Sequence, residues 1–195
     1  VELHQRLNNR TNSSKYKKKL TKLYYQAKRQ RKVLSLRVLD YFANERLQKM
    51  KSSITNLKKI ELTYPEKTFQ KLVEHKISTL DKLVEQGNDV LEVGSGTGII
   101  SSYKILNEAY THVGKELAGF TPKGKSATYI KGFKAQMGAV SKQMIDAAKR
   151  YKEEAIRSIS KNTILSKQNI FFQNNSFPVN YFEDGGVVIM DRGGR

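Results

Sequence analysis

Neither glycine nor proline occurs between Lys15 and Tyr64, a run of fifty residues. These two residues are the strongest helix breakers, so the run lacks the usual signals that end a helix. Apolar residues recur within it mostly at intervals of three and four, the period of one helix face. They are Leu20, Leu23, Ala27, Leu34, Val38, Phe42, Met50, Ile54 and Leu57. The pattern predicts one long helix, or two helices that are separated near the basic residues 28–32.

The rest of the chain carries three more apolar stripes of the same period, over residues 65–91, 100–117 and 130–159. Glycine-containing breaks at 94–98 and 119–126 separate them. A helix with one apolar stripe must bury that stripe against a neighbour, and short links make neighbouring helices antiparallel. We therefore expect an all-α fold of about four long antiparallel helices.

The same pattern divides the chain into three segments. Residues 1–14 are polar and predict a flexible lead-in. Residues 15–165 hold the helical stripes and predict one helical repeat domain. Residues 166–195 are rich in Asn and Gly and predict an irregular tail, in which the apolar run 187–190 has the character of a short strand.

Positive charge is concentrated at the start of the chain. The protein has 36 Lys and Arg against 18 Asp and Glu, and the first sixty residues hold 17 of the basic residues but only three acidic ones. The basic residues are most closely spaced in two groups, which contain Lys15, Lys17, Lys18, Lys19, Lys28, Arg29, Arg31 and Lys32, and Tyr16, Tyr24 and Tyr25 lie between them. This mixture is typical of a surface for an anionic partner, which includes nucleic acid, an anionic membrane surface and an acidic protein. A solvated helix face without a partner has the same composition.

Several classes of site are excluded or disfavoured by composition. The chain has no Cys, which excludes disulfides, Cys-ligated metals and a thiol nucleophile. Its three His residues lie far apart, so we expect no metal site, and no Ser/His/Asp constellation predicts a catalytic residue. No apolar run is long enough to span a membrane. The chain begins at Val1 without a following apolar segment, which suggests a fragment or a processed product.

Residues 89–98, Asp-Val-Leu-Glu-Val-Gly-Ser-Gly-Thr-Gly, resemble the first motif of S-adenosylmethionine-dependent methyltransferases. That resemblance implies a strand that ends in a glycine-rich loop around the cofactor, with Gly94, Gly96 and Gly98 at the loop and Glu116 as the residue that binds the ribose. The flanking helical stripes instead favour a turn between two helices. The methyltransferase is the alternative function.

A second resemblance covers residues 35–165. Its positions are the segments 64–69, 93–94 and 121–124 together with Lys76, Leu80, Tyr103, Tyr110, Val113, Leu117, Tyr129 and Tyr151. They resemble the long tetratricopeptide-like helical repeats of cell-envelope proteins in gliding or predatory delta-proteobacteria, although the Trp-Leu-Gly-Tyr pattern of the common repeat is absent. The resemblance implies a non-enzymatic scaffold in the periplasm or envelope that binds a protein partner and needs no cofactor. A helical nucleic-acid-binding protein is the second alternative.

Overall fold

The computed structural model describes residues 10–164, 166 and 168–172, and it divides the chain into two compact units, the first ending at Leu39 and the second beginning at Asp40. The described residues form six helices and no strand, which confirms the all-α prediction. The helices are α1 (Arg10–Arg29), α2 (Leu36–Lys59), α3 (Glu66–Leu91), α4 (Gly96–Gly119), α5 (Ala127–Asn162) and α6 (Asn169–Phe172).

The glycine-free run forms two helices, the second of the two arrangements that its pattern allows. Helix α1 ends because Arg31 adopts a left-handed conformation with a φ of 52°. The amide of Arg31 donates to the carbonyl of Lys28, and the amide of Lys32 donates to the carbonyl of Ala27. These two bonds form a Schellman motif, which satisfies the last carbonyls of the helix and turns the chain away from its axis.

Two segment boundaries differ from the prediction. The lead-in predicted over 1–14 is wrong from Arg10 onward, since α1 begins there and its Asn and Ser residues do not break a helix. The tail predicted as irregular over 166–195 contains the short helix α6, while the strand expected at 187–190 lies outside the described residues. The boundary between the two units falls inside the predicted domain 15–165.

Helices α2 to α5 are antiparallel in succession. Between α2 and α3, Leu57 contacts Lys76 and the earlier Arg46 contacts the later Asp89. Between α3 and α4, Lys76 contacts Glu116 and the earlier Phe69 contacts the later Phe120. Between α4 and α5, Tyr103 contacts Tyr151, and the later Phe120 contacts the earlier Phe133. The order of contacts is therefore opposite along the two helices. This confirms the predicted antiparallel arrangement.

Small residues let α4 and α5 approach closely. A methyl group added at Gly114 would lie 2.9 Å from the side chain of Ile145, so that side chain would have to shift. The hydroxyl of Ser141 donates to the carbonyl of Gly114 at 2.7 Å, and the amide of Asn107 donates to the carbonyl of Ala148 at 2.8 Å. Side chain to backbone bonds therefore hold the two helices together in addition to apolar packing.

Candidate binding surface

The first unit concentrates the positive charge of the protein. Between Arg10 and Leu39 the sequence has eleven Lys and Arg and no Asp or Glu. The eight basic residues predicted to form a binding surface are all exposed: Lys15, Lys17, Lys18, Lys19, Lys28, Arg29, Arg31 and Lys32. With no carboxylate in this stretch of chain, its own sequence supplies only positive charge.

The helical period sorts the side chains of α1 into two faces. At 100° per residue, Lys15, Lys18 and Lys22 fall together on one side, and Leu20 and Leu23 fall on the other. Helix α1 is therefore a basic amphipathic helix.

The apolar face of α1 borders an open groove of about 340 Å³. Its lining residues are Leu20, Leu23, Tyr24, Gln26, Ala27, Gln30, Lys32, Leu34 and Val38. Leu23 keeps 52% of its surface exposed, so this face is only partly covered.

The link between α1 and α2 presents two aliphatic side chains to solvent. Val33 is fully exposed, and Leu36, the first residue of α2, is 73% exposed. Arg31 and Lys32 precede them and Arg37 follows. Helical periodicity misses these two residues, because they stand outside the apolar stripes. The sequence feature that could have identified them is a pair of aliphatic residues with basic residues on both sides along the chain.

Aromatic residues on α1 are divided between exposed and buried positions. Tyr16 and Tyr25 are each about half exposed, whereas Tyr24 is buried and packs edge-on against the Tyr25 ring at 5.2 Å between centroids. The ammonium of Lys28 lies 5.8 Å from the centre of the Tyr24 ring, within the range of a cation–π contact.

The glycine-rich segment is a turn between two helices, as its flanking stripes predict. Helix α3 includes Asp89 and ends at Leu91, so the strand that a methyltransferase motif requires is a helix here. Gly94 has a φ of +83°, which reverses the chain. Ser95 then caps α4, since its hydroxyl accepts the amide of Gly98 at 3.0 Å and donates to a carboxylate oxygen of Asp40.

The structure does not bring together the four residues of the cofactor alternative. Gly94, Gly96 and Gly98 lie at the start of α4, and Glu116 lies near its end. The eighteen residues from Gly98 to Glu116 correspond to about 27 Å of helix. Glu116 is already paired with Lys76. These positions therefore form no common site for one cofactor.

Lys76, Glu116 and His112 form a partly buried cluster between α3 and α4. Lys76 is completely buried, and its ammonium lies 2.7 Å from Oε2 of Glu116, which also lies 3.5 Å from Nε2 of His112. Burial is the main cause that lowers the pKa of His112 below its usual 6.5; nearby Lys76 and Lys58 lower it further and Glu116 opposes them. The residues that the structure describes contain no group of three acidic or histidine side chains that could hold a metal ion.

Four tyrosines that belong to the second resemblance, Tyr103, Tyr110, Tyr129 and Tyr151, make contacts between elements of the second unit. The rings of Tyr103 and Tyr110 lie 6.4 Å and 5.4 Å from that of Tyr151 across the α4–α5 contact. Burial, followed by the neighbouring Tyr151, raises the pKa of Tyr110 to about 12. At the other end of α5, the hydroxyl of Tyr129 lies 3.2 Å from that of Tyr64. Tyr103, Tyr110 and Tyr151 thus connect α4 with α5, and Tyr129 connects α5 with the link between α2 and α3.

Comparisons of the chain with known protein families, with curated proteins and with solved structures find no match. Both family resemblances therefore stay predictions. None of the described helices is long and apolar enough to cross a membrane.

Proposed function

We propose that this chain is a non-enzymatic scaffold module in which the first unit binds an anionic partner and the second unit is a rigid helical body. The observation that carries the proposal is the segregation of charge. Residues 10–39 hold eleven basic and no acidic residues, while residues 40–195 hold 24 basic and 17 acidic ones. The excess charge thus lies in a short segment whose basic side chains are exposed.

The polar groups inside the second unit support the role of a rigid body. Lys76 joins the end of α2 to α4, Ser141 bonds to the backbone of α4, and Ser95 caps a helix. Each of these groups is engaged in holding helices in place. Such a body suits the presentation of a surface rather than the turnover of a substrate.

Retention on immobilised heparin, a general polyanion, tests the anionic partner. The variant Lys15→Gln/Lys18→Gln/Lys22→Gln removes three exposed charges from α1, and its matched control Lys131→Gln/Lys134→Gln/Lys142→Gln removes three exposed charges from α5. We expect the α1 variant to elute at clearly lower salt than the control, because binding follows local and not total charge. Equal shifts for the two variants would contradict the proposal.

A protein partner and a location in the periplasm or envelope are implied by the tetratricopeptide resemblance, and we propose them together with the scaffold role. Crosslinking in cells that make the full-length gene product tests both. We expect one reproducible protein crosslinked to the exposed lysines of α5, and recovery of the product in the envelope fraction. Recovery of the chain without any reproducible partner contradicts the scaffold role.

A further inference from the structure

We propose that the anionic partner is a lipid bilayer, and that Val33 and Leu36 enter its interface while the surrounding basic side chains contact phosphate headgroups. This inference rests on the proposed function, since it names the partner of the same surface. It commits to lipid phosphate rather than to free phosphate or to the phosphates of nucleic acid.

Two aliphatic side chains of the link between α1 and α2 face water. A fully exposed Val33 and a largely exposed Leu36 keep apolar surface in contact with solvent. Transfer of that surface into an apolar phase is favourable in proportion to its area. Val33 lies in the link, four residues after the end of α1, and Leu36 is the first residue of α2.

Every charged residue between Arg10 and Leu39, the stretch that contains the pair, is basic, and the first acidic residue after it is Asp40. Arg29, Arg31 and Lys32 precede the pair, and Arg37 follows it. Each basic side chain near an anionic membrane surface contributes roughly a fivefold gain in binding. With no acidic residue between Arg10 and Leu39, no carboxylate in this stretch opposes that attraction.

Helix α1 has the form of an interfacial helix. A basic amphipathic helix lies in the plane of a membrane interface with its apolar face toward the acyl chains. Leu20 and Leu23 occupy that face, and Leu23 is half exposed. Lys and Arg side chains extend along the interface to reach the headgroups. The helix and the link therefore both offer apolar side chains for the acyl chains and basic side chains for the headgroups.

Nucleic acid accounts for fewer of these features. Phosphates and base faces provide partners for the lysines and for Tyr16 and Tyr25. They provide none for the aliphatic side chains of Val33 and Leu36, which have no ring to stack on a base. An acidic peptide seated in the groove would likewise leave Val33 in water, because Val33 is not among the groove-lining residues.

Sedimentation of the full chain with vesicles tests the proposal. Vesicles of phosphatidylcholine with 30% phosphatidylserine should bind at least about tenfold more tightly than pure phosphatidylcholine, with the preference falling as salt rises. Val33→Ser/Leu36→Ser should weaken binding at least about tenfold. The matched control Ile156→Ser/Ile170→Ser removes two exposed aliphatics from the second unit and should bind like the wild type.

Fluorescence provides a second measurement that reports insertion directly. The chain has no Trp, so Val33→Trp places the only indole at the proposed contact, and Ile156→Trp is its control. The indole at position 33 should shift to shorter wavelength and be quenched by brominated lipids when phosphatidylserine vesicles are added. The indole at position 156 should not respond. Circular dichroism of each variant checks that its helices are retained.

Three results would overturn the proposal: equal binding to both kinds of vesicle, wild-type binding by Val33→Ser/Leu36→Ser, or an unchanged indole spectrum at position 33. If the α1 variant still elutes from heparin at lower salt than the α5 variant in that case, the proposal that the first unit binds an anionic partner is retained. Labelled oligonucleotides and a polyglutamate peptide then identify the class of partner. If the heparin difference is also absent, the proposed function fails as well.

Discussion

The ammonium of Lys76 lies 2.7 Å from Oε2 of Glu116, and the Lys76 side chain is completely buried. The same ammonium donates to the carbonyl of Leu57, in the last turn of α2, at 3.2 Å. A cation is favoured at a helix C-terminus because the final carbonyls carry partial negative charge. One lysine of α3 thus joins the ends of α2 and α4.

Removal of the carboxylate should cost more stability than removal of the lysine. Glu116→Ala leaves a buried ammonium without its counter-charge, which typically costs about 3–5 kcal/mol. Lys76→Met removes the charge and fills much of the same volume, and Glu116 remains 25% exposed to water, so we expect a smaller loss of about 1–2 kcal/mol. Urea unfolding followed by circular dichroism measures both free energies.

The exposed pair Arg157 and Glu154, with 3.1 Å between its charged atoms, is the control for this prediction. Arg157→Gln should change the free energy of unfolding by less than about 1 kcal/mol, since exposed pairs contribute little. If Glu116→Ala costs no more than Arg157→Gln, Lys76 is not held in the interior by its ion pair.

His112 should make the protein less stable as the medium becomes acidic. Burial lowers its pKa in the folded state below the usual 6.5. The unfolded chain therefore takes up a proton near pH 6.5 while the folded chain does not, and proton uptake by the unfolded state reduces stability as pH falls through that range. We expect His112→Gln to flatten the dependence of the urea midpoint on pH between about 5 and 7.5. A dependence that is as steep in His112→Gln as in the wild type would contradict this role of His112.

The second unit could be largely predicted from the sequence because its apolar spacing reflects burial directly. Leu80, Leu83 and Val90 recur at helical intervals and are all buried on one face of α3. The basic surface was also predictable, since exposed lysines such as Lys18 and Lys19 need no tertiary neighbour to be identified.

Other features depend on neighbours that the sequence pattern does not reveal. Lys76 lies four residues before the buried Leu80, so its helical position falls within the apolar stripe of α3, but its charge favours a solvated position. Its contacts with Leu57 and Glu116 are what allow the charged group to be buried. Val33 and Leu36 are apolar residue types that are usually buried, but α1 ends at the left-handed Arg31, which leaves Val33 in the link and Leu36 at the first position of α2, both exposed. Residues 89–98 resemble the methyltransferase motif in sequence, but the helices on both sides make this segment a turn between helices.

S-adenosylmethionine should not stabilise this protein. Gly98 and Glu116 are separated by about 27 Å of helix, and binding raises the melting temperature only where a ligand has a site in the folded state. We expect no change in melting temperature in calorimetry with millimolar S-adenosylmethionine. A shift of several degrees that disappears in Glu116→Gln would contradict the separation of these residues.

Gly98 should be required for the close approach of α2 and α4. A methyl group at this position would lie 2.6 Å from Cβ of buried Ala43, far inside van der Waals contact. Gly98→Ala should therefore reduce the free energy of unfolding by about 1–3 kcal/mol. Gly138 lies within α5, and a methyl group added there would meet no atom within 4 Å. Gly138→Ala should instead stabilise the protein by about 0.5–1 kcal/mol through its helix propensity.

The compensating change at Ala43 separates crowding from any other effect of Gly98→Ala. In the double variant Ala43→Gly/Gly98→Ala one methyl group again faces a hydrogen, so the double variant should be more stable than the sum of the two single changes predicts. Because residues in contact are coupled by about 0.5–3 kcal/mol, urea unfolding of all four proteins resolves the difference. Purely additive losses would mean that the two helices do not meet at these residues.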